Sequence, residues 1–255
     1  MRIATWNVNS VRARKERILK MLAQHQPDVL CLQELKGVDE IFPFDEIREA
    51  GYHAAVYGQS TYNGVAILSK VPPKNVMRGF LDDVEDTQAR IIAATVSDIQ
   101  IISVYVPNGA EVGCDKYHYK LAWIDRLRAY LDRNFTSEDP LVLCGDFNMA
   151  DDERDIAYPE KWANTVLCHP DVLEAFSHVA EFGLEDAFRA VNPDEGNYSW
   201  WNYRTFFLKQ NDGLRIDHIW STAPMIERAR HAFVDRDERQ GDGPSDHVPV
   251  IVDFD

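Results

Sequence analysis

Cysteine is scarce in this chain. There are four in 255 residues, none in a Cys-x-x-Cys pair, which argues against a disulfide framework and against a thiolate zinc site. Cys31 and Cys144 fall inside apolar, strand-like runs, where a reduced thiol behaves as a small hydrophobe. No apolar run reaches the ~20 residues of a membrane-spanning helix, and no charged-then-apolar leader precedes the first strand-like segment. A cytoplasmic protein that does not engage a membrane is expected. Missing too are a Gly-rich phosphate loop, a Gly-x-Ser-x-Gly elbow and any cysteine in a nucleophile motif. Positive charge is short: 27 Lys and Arg stand against 42 Asp and Glu, for a net charge of -15. Proteins that grip nucleic acid through its phosphates are generally basic, so this balance counts against a non-specific nucleic-acid binder. The acids are crowded into runs (residues 82–86, 151–153 and 235–238), while Arg12, Arg14 and Lys15, and Lys116 to Lys120, make local basic stretches.

What is present is a chain with 45% hydrophobic residues, enough for one substantial core, and no Ser/Gly-rich or Pro-rich linker to divide it. One domain over residues 1–255 is expected. Apolar runs of strand length occur at 2–8, 28–33, 53–57, 64–70, 90–97, 100–106, 141–145, 215–221, 230–234 and 248–254, with Ser97-Asp98 as a tight hairpin turn. Helical spacing joins Ile18, Met21, Leu22 and His25, then Leu121, Ile124, Leu127, Leu131 and Phe135, then Val172, Phe176 and Val179 before Gly183. Strands mixed with helices in irregular order suit mixed sheets with helices on their outer faces.

The polar residues at strand ends carry the chemistry. Asn7 and Asn9, Gln33 and Glu34, Tyr105 and Asn108, Asp146 and Asn148, and Asp217 and His218 each close an apolar strand, and Ser245-Asp246-His247 precedes one. A single carboxylate after a strand is most often a turn residue or a solvated cap. Six such places in one chain read instead as a site assembled at the ends of a rigid sheet. Glu34, Asp146, Asp217 and Asp246 offer hard oxygen ligands, which suit magnesium or manganese and not zinc. A metal held by carboxylates polarises a phosphoryl oxygen, a histidine with a carboxylate partner orients or deprotonates water, and Asn and Tyr donate to charge on phosphate. Hydrolysis by an activated water with metal assistance is the chemistry this set supports.

With these residues the chain resembles the exonuclease III and abasic-site endonuclease family, within the wider endonuclease/exonuclease/phosphatase group. The likeness runs from Trp6-Asn7-Val8-Asn9-Ser10 through Leu32-Gln33-Glu34-Leu35-Lys36, Tyr62-Asn63-Gly64-Val65, Asn108-Gly109, Gly145-Asp146-Phe147-Asn148, Tyr198-Ser199-Trp200-Trp201-Asn202-Tyr203-Arg204 and Gly213-Leu214-Arg215-Ile216-Asp217-His218 to Ser245-Asp246-His247. It implies an α+β fold, a four-layer αββα sandwich with two mixed β-sheets face to face. It implies Glu34 as the principal Mg²⁺ ligand beside Asn7 and Asp246, with Mn²⁺ as a substitute and Asp146 and Asn148 as ligands of any second ion. Asp146 would activate water or protonate the leaving group, Asn148 would adjoin the scissile phosphate, and Tyr105 would hydrogen-bond it. His247 would touch that phosphate while Asp217 orients it, and the resemblance leaves open whether Asp146 or His247 is the base. Asn9, Lys120 and Arg204 would lie along the DNA.

Trp200, Leu214 and Ile216 are expected to wall a pocket for a base-free sugar. Leu214 and Ile216 share one face if they lie on a strand, and of Trp200 and Trp201 one is expected in the core. His218 should point away from Asp217, and His25, His53, His118, His169, His178 and His231 belong to no constellation. One departure from the family pattern is Ala110-Glu111-Val112-Gly113-Cys114-Asp115, where relatives carry basic or bulky residues that probe the duplex. The implied activity is cleavage of double-stranded DNA 5′ to abasic sites and trimming of recessed or blocked 3′ ends, by a monomer. Two other readings stand beside it. One is a phosphatase or phosphodiesterase of the same fold acting on RNA, a phosphoinositide or another small phosphoester, which the charge of -15 favours. The other, a non-catalytic binding regulator, requires gaps in the acidic set, and the set has none.

Overall fold

The computed structural model describes residues 1–203 and 208–255. The first half of the chain runs β1 (Arg2–Asn7), α1 (Lys15–His25), β2 (Val29–Gln33), α2 (Phe44–Glu49), β3 (His53–Tyr57), β4 (Val65–Ser69), β5 (Lys74–Arg78) and β6 (Ile91–Val96). The second runs β7 (Ile99–Tyr105), α3 (Asp115–Asn134), β8 (Leu141–Asp146), α4 (Pro159–Trp162), α5 (Pro170–Ala180), β9 (Leu184–Asp186), α6 (Ala187–Val191), β10 (Asp217–Thr222), α7 (Ala223–Ile226), β11 (Ala229–Val234) and β12 (Val250–Phe254).

The strands form two six-stranded mixed sheets, ordered β11-β12-β1-β2-β4-β3 and β5-β6-β7-β8-β10-β9. Each sheet contains one parallel pair, β1 with β2 and β7 with β8, and antiparallel neighbours elsewhere. A parallel pair needs a crossover, supplied by α1 in one sheet and by α3 in the other. Successive strand residues face opposite sides, so each strand feeds two layers. Ile3, Val29, Cys31, Ile101, Val142, Cys144, Ile219 and Val252 fill the space between the sheets. Ala4, Trp6, Leu30 and Leu32 face the other way, onto Ile18, Met21 and Leu22 of α1. Ile102, Val104, Leu141 and Leu143 face outward onto Trp123, Ile124 and Leu127 of α3 and Val172, Phe176 and Val179 of α5. The result is the four-layer αββα sandwich. No described helix is long and apolar enough to cross a membrane.

The expected strands and helical stripes are present. Ser97 and Asp98 both adopt positive φ, as the tight turn between β6 and β7 requires. Two strands carry no readable pattern. β5 is an edge strand whose Lys74, Asn75 and Arg78 are exposed, so no buried face imposes alternation, and β9 has only three residues. The strand expected from Arg215 starts instead at Asp217, because Leu214 exchanges main-chain hydrogen bonds with Trp200 (3.0 and 2.9 Å). Gly145 is needed for close approach: a Cβ there would collide with the Val104 carbonyl of the neighbouring parallel strand.

A buried ion network holds the start of β10 from behind. Arg215 donates to Asp155 through Nε (2.8 Å) and Nη2 (2.5 Å), and to Asp186 through Nη2 (2.6 Å). Arg189 of α6 also binds Asp155. The Arg215 Nη1 lies 3.1 Å from His218 Nδ1. An arginine can only donate, so Nδ1 accepts, and the His218 proton sits on Nε2, which donates to the Met149 carbonyl at 2.8 Å. Replacing Arg215 by Met takes the cation from Asp186 and leaves Asp155 with Arg189 alone, and urea unfolding should show a loss of about 3–5 kcal/mol. Burial alone would raise the Asp186 pKa, yet the Arg215 guanidinium outweighs it and holds the carboxyl below the usual range. A lowered folded-state pKa gives stability that is present above about pH 4 and lost as pH falls through the folded value. Asp186→Asn is therefore expected to flatten the fall of Tm below pH 4, and a curve as steep as the parent's would contradict this account.

Candidate active site

Along each parallel pair the inter-sheet face changes from apolar to polar in the same direction. Ile3, Thr5 and Asn7 share that face of β1, as Val29, Cys31 and Gln33 do of β2 and Ile101, Ser103 and Tyr105 of β7. Gln33 ties the layers together just beneath the site, donating to Thr5 Oγ1 (3.0 Å) in its own sheet and Ser103 Oγ (3.2 Å) in the other. One residue further, the strands open into the cleft.

The Asn7 amide nitrogen donates to Glu34 Oε1 and to Asp146 Oδ2, both at 2.8 Å, so one side chain joins carboxylates of the two sheets. Glu34 has φ +53°, a left-handed kink that turns the chain directly after β2. Its second oxygen lies 2.8 Å from Lys36 Nζ. Burial and the charges of Glu34 and Asp146 push the pKa of the Tyr105 hydroxyl well up, so it stays a donor. The Arg90 guanidinium lies 4.7 Å over the Tyr105 ring.

Asp217 opens β10 directly opposite Asp146 on β8. Its Oδ2 accepts from Ser199 Oγ (2.6 Å) and lies 2.8 Å from His247 Nδ1. His247 Nε2 then faces Asp146 Oδ2 at 3.7 Å. Burial would lower the His247 pKa, but Asp217 and Asp146 outweigh it and push the imidazole up to about 10. Asp146 moves the other way for a carboxylate: burial, with Asp217 beside it, raises it to about 7 against the pull of His247. The ligand atoms of Asp146, Asp217 and His247 all lie within 4.8 Å of one another, an acidic group able to hold a metal ion.

Asp246 sits at the rim, accepting from Asn9 Nδ2 (3.0 Å) and Trp200 Nε1 (3.1 Å). Burial opposes its ionisation, but His247 and these donors hold its pKa below the usual range. Asn148 Nδ2 donates to the Val106 carbonyl (3.0 Å), and Asn148 Oδ1 accepts from Asn108 Nδ2 (2.9 Å). The cleft has a volume of about 490 Å³, and Glu34, Tyr105, Asp146, Asn148, Asp246 and His247 all line it. A second groove of about 630 Å³ shares Tyr105, Asn108 and Ala110 with it and carries Arg90 and Lys116. Arg12 and Lys116 are exposed, so cations do reach the surface of this acidic chain.

Of the expected site residues, the structure brings Asn7, Glu34, Tyr105, Asp146, Asn148, Asp217, Asp246 and His247 together, with Asn9 at the rim. Trp200 and Ile216 line the cleft and Trp201 is fully buried, while Arg204 lies outside the described residues. Two expectations are overturned. Leu214 is fully buried in the layer beneath α3 and α5, its main chain bridged to both Trp200 and Ile156, and it does not line the cleft. Lys120 has 0% exposure, and its ammonium donates to main-chain carbonyls, so it cannot meet a DNA phosphate. Sequence reasoning passed over Trp162, Thr165, Val166 and Leu167, which form one cleft wall. The Trp162 ring meets Trp200 edge-on, at 5.9 Å and 81°. Ser199 and Lys36 lay inside quoted motifs without a role, but Trp162 had no neighbouring polar motif to flag it.

A family model described as the endonuclease/exonuclease/phosphatase family matches residues 4–247. Exodeoxyribonuclease III of Haemophilus influenzae is 34% identical to this chain over 266 aligned positions, covering 100% of both. An AP endonuclease from Archaeoglobus fulgidus superposes with a TM-score of 0.97 at 36% identity, covering 100% of this chain and 99% of that one. The 3′ phosphatase NExo from Neisseria, bound to a product DNA hairpin, gives a TM-score of 0.96 at 38% identity with the same coverage.

The Asp217–His247 contact is short and buried enough to act as a unit. Asp217→Asn and His247→Asn should each lower kcat heavily, with the double variant little worse than the worse single one. With Asp217 neutral, the imidazolium loses a principal partner, and NMR titration should show the His247 pKa falling. Losses that simply multiply, with an unmoved titration, would mean that the two residues act separately.

Proposed function

This chain belongs to the endonuclease/exonuclease/phosphatase family, and from that premise we propose that it hydrolyses phosphodiesters in DNA repair, cutting 5′ to abasic sites and trimming 3′ ends as exonuclease and 3′-phosphatase. The observation that carries this reading is the convergence of Glu34, Asp146, Asp217, Asp246 and His247, drawn from both sheets, in one cleft. The names of its relatives, an exodeoxyribonuclease III, an AP endonuclease and a 3′ phosphatase, support the choice of DNA. The site draws on residues from Asn7 to His247, which supports treating the whole chain as one domain. All four cysteines are free, in keeping with a reducing cytoplasm, and we take the active unit to be a monomer.

The donor set fits a hard divalent cation. Carboxylate oxygens crowd the cleft, and repulsion from Asp217 helps to raise the Asp146 pKa, a strain that a cation would relieve. Glu34, Asn7 and Asp246 would hold Mg²⁺, with Mn²⁺ as a substitute and Asp146 and Asn148 beside any second ion. The metal, when bound, supplies Lewis-acid polarisation of a phosphoryl oxygen. The remaining work falls to this chain's own groups. His247, protonated at neutral pH, donates through Nε2 to a phosphate oxygen while Asp217 fixes the ring. Tyr105 donates a second hydrogen bond, and the amide of Asn148 lies beside it in the cleft. Asp146, whose carboxyl burial and Asp217 push up, is assigned the proton of the attacking water and its return to the leaving oxygen. The raised pKa of His247, which keeps it a donor, supports the reading of Asp146 as the base. Trp200, Trp162 and Ile216 close the apolar side, where a sugar without its base would lodge.

The test uses duplex oligonucleotides carrying an abasic analogue, a recessed 3′ end or a 3′-phosphate, each with and without Mg²⁺. Cleavage should vanish in EDTA and return with Mg²⁺ or Mn²⁺. Glu34→Gln should reduce turnover by about 100-fold or more while leaving Tm near that of the parent. Full activity in excess EDTA would refute the metal-assisted mechanism. Activity confined to small phosphoesters would refute the assignment to DNA.

A further inference from the structure

Lys120 projects from α3 into the interior behind the cleft wall, with no exposed surface. Its ammonium donates to the carbonyls of Val166 (2.6 Å), Asn148 (2.7 Å) and Asn108 (3.3 Å). Burial lowers the pKa of this amine to about 7, with Asp146 pulling it back up, and in its protonated form, with three protons and no acceptor, it gives its full capacity to this set. The three carbonyls come from three separate segments: the turn after β7, the turn after β8 and the loop that follows α4. Each segment presents a residue to the cleft, namely Asn108, Asn148 and Val166. Asn148 has φ +47°, a conformation that needs outside support in a residue other than glycine. Gly109 leaves room for the lysine stem, since a Cβ there would come within 3.1 Å of Lys120 Cδ and 3.5 Å of Val166.

We propose that Lys120 is a positioning residue whose internal ammonium ties three cleft loops together and thereby sets the Asn108–Asn148 amide pair against the reacting phosphate. The proposal rests on the phosphodiester-cleaving reading of the site. The amide pair is joined by the 2.9 Å bond from Asn108 to Asn148, and the second anchor of Asn148 is the Val106 carbonyl. Asn108 Oδ1 also accepts from the Ala110 N–H of its own turn at 3.2 Å, so the direction of both side chains depends on where the two main-chain turns stand. The ammonium holds both turns at once. Without it, three carbonyls would face a space sealed from water, and the loops would turn outward to hydrate them.

The experiment compares Lys120→Met with the parent at a temperature well below the melting point of both. The Met variant should lose about 100-fold or more in kcat, the size seen when one preorganised donor is lost. The loss should be alike for an abasic duplex and for bis(p-nitrophenyl) phosphate, with little change in KM. Binding of the duplex between 50 and 200 mM salt should keep the parental slope. Hydrogen exchange should accelerate together at residues 106–110, 147–150 and 164–168, and nowhere else. Lys120→Arg, which keeps charge and donors, should recover at least tenfold in kcat. A folded Met variant with parental kcat would overturn the proposal. So would a salt slope reduced by about 0.9 with kcat retained, since that marks a phosphate contact. Should Met not fold, Lys120→Gln, which keeps two N–H donors, carries the same comparison. If the parent cleaves the diester but no DNA, the DNA assignment fails while the Lys120 comparison still stands.

Discussion

The amide of Asn7 donates at 2.8 Å to Glu34 in its own sheet and at 2.8 Å to Asp146 in the facing one, and the site is arranged around that pair of bonds. They are available only because both sheets carry a parallel pair ending at the same edge of the sandwich. Parallel pairing sets Asn7 beside Gln33 and Tyr105 beside Asp146, so four strands deliver their last residues to one place. The antiparallel partners then arrive from the opposite direction. β10 begins at Asp217 beside Asp146, and the segment leading into β12 places His247, its carbonyl held by Trp6 Nε1 at 3.1 Å. Strand period does the rest, because alternate residues of a strand that packs hydrophobically on its neighbours must emerge on the same inner face.

Electrostatics in this region follow from burial and neighbours. Asp146 and Asp217 stand opposite each other, and a histidine is drawn between them. The same field that pushes the imidazole up to about 10 leaves Asp146 at about 7, which separates a hydrogen-bond donor from a proton carrier by environment alone. Behind the site a second charged cluster does purely structural work. Arg215, Asp155, Asp186 and Arg189 neutralise one another and hold the chain just ahead of Asp217. Arg215 and Ile216 are adjacent yet serve opposite sides: one faces the buried ion pairs, the other lines the cleft. Elsewhere Asp82 and Asp86 are bound to Arg126, and Glu238 to Arg17 and Lys20; these pairs balance acid against base and leave the net charge of -15 on the rest of the chain.

Much of the fold could be read along the chain, with telling exceptions. The buried stripe of α5 is the Val172, Phe176 and Val179 of the sequence pattern, because an amphipathic helix on a sheet has one apolar face. β5 could not be read, since an edge strand with exposed side chains has no second face to contrast with. Polar residues at strand ends marked the residues that gather at the cleft, because an apolar run that stops at Asn, Glu, Asp or His has no core reason to do so. Residues without that contrast were misjudged. Leu214 looked like a strand neighbour of Ile216 until its backbone was claimed by Trp200. Lys120 looked like a surface cation until α3 turned it inward. Trp162 looked like nothing in particular.

Composition and periodicity by themselves determined mixed sheets flanked by helices, while the four-layer αββα class, the family and the residues that end at the site followed from the resemblance that the ordered motifs carry. These are properties of single segments, fixed by local pattern and by the chemistry of side-chain types. The bridge from Asn7 to Asp146, the closure of one wall by Trp162 and the inward turn of Lys120 were decided only by tertiary structure, which also set at 2.8 Å the Asp217–His247 contact that the resemblance implied. Each joins segments tens to hundreds of residues apart, and their distance is set by how two sheets stack. Burial, and with it the pKa of Asp146 and the availability of the Lys120 ammonium, depends on every layer packed around the group. No local pattern in the chain carries that information.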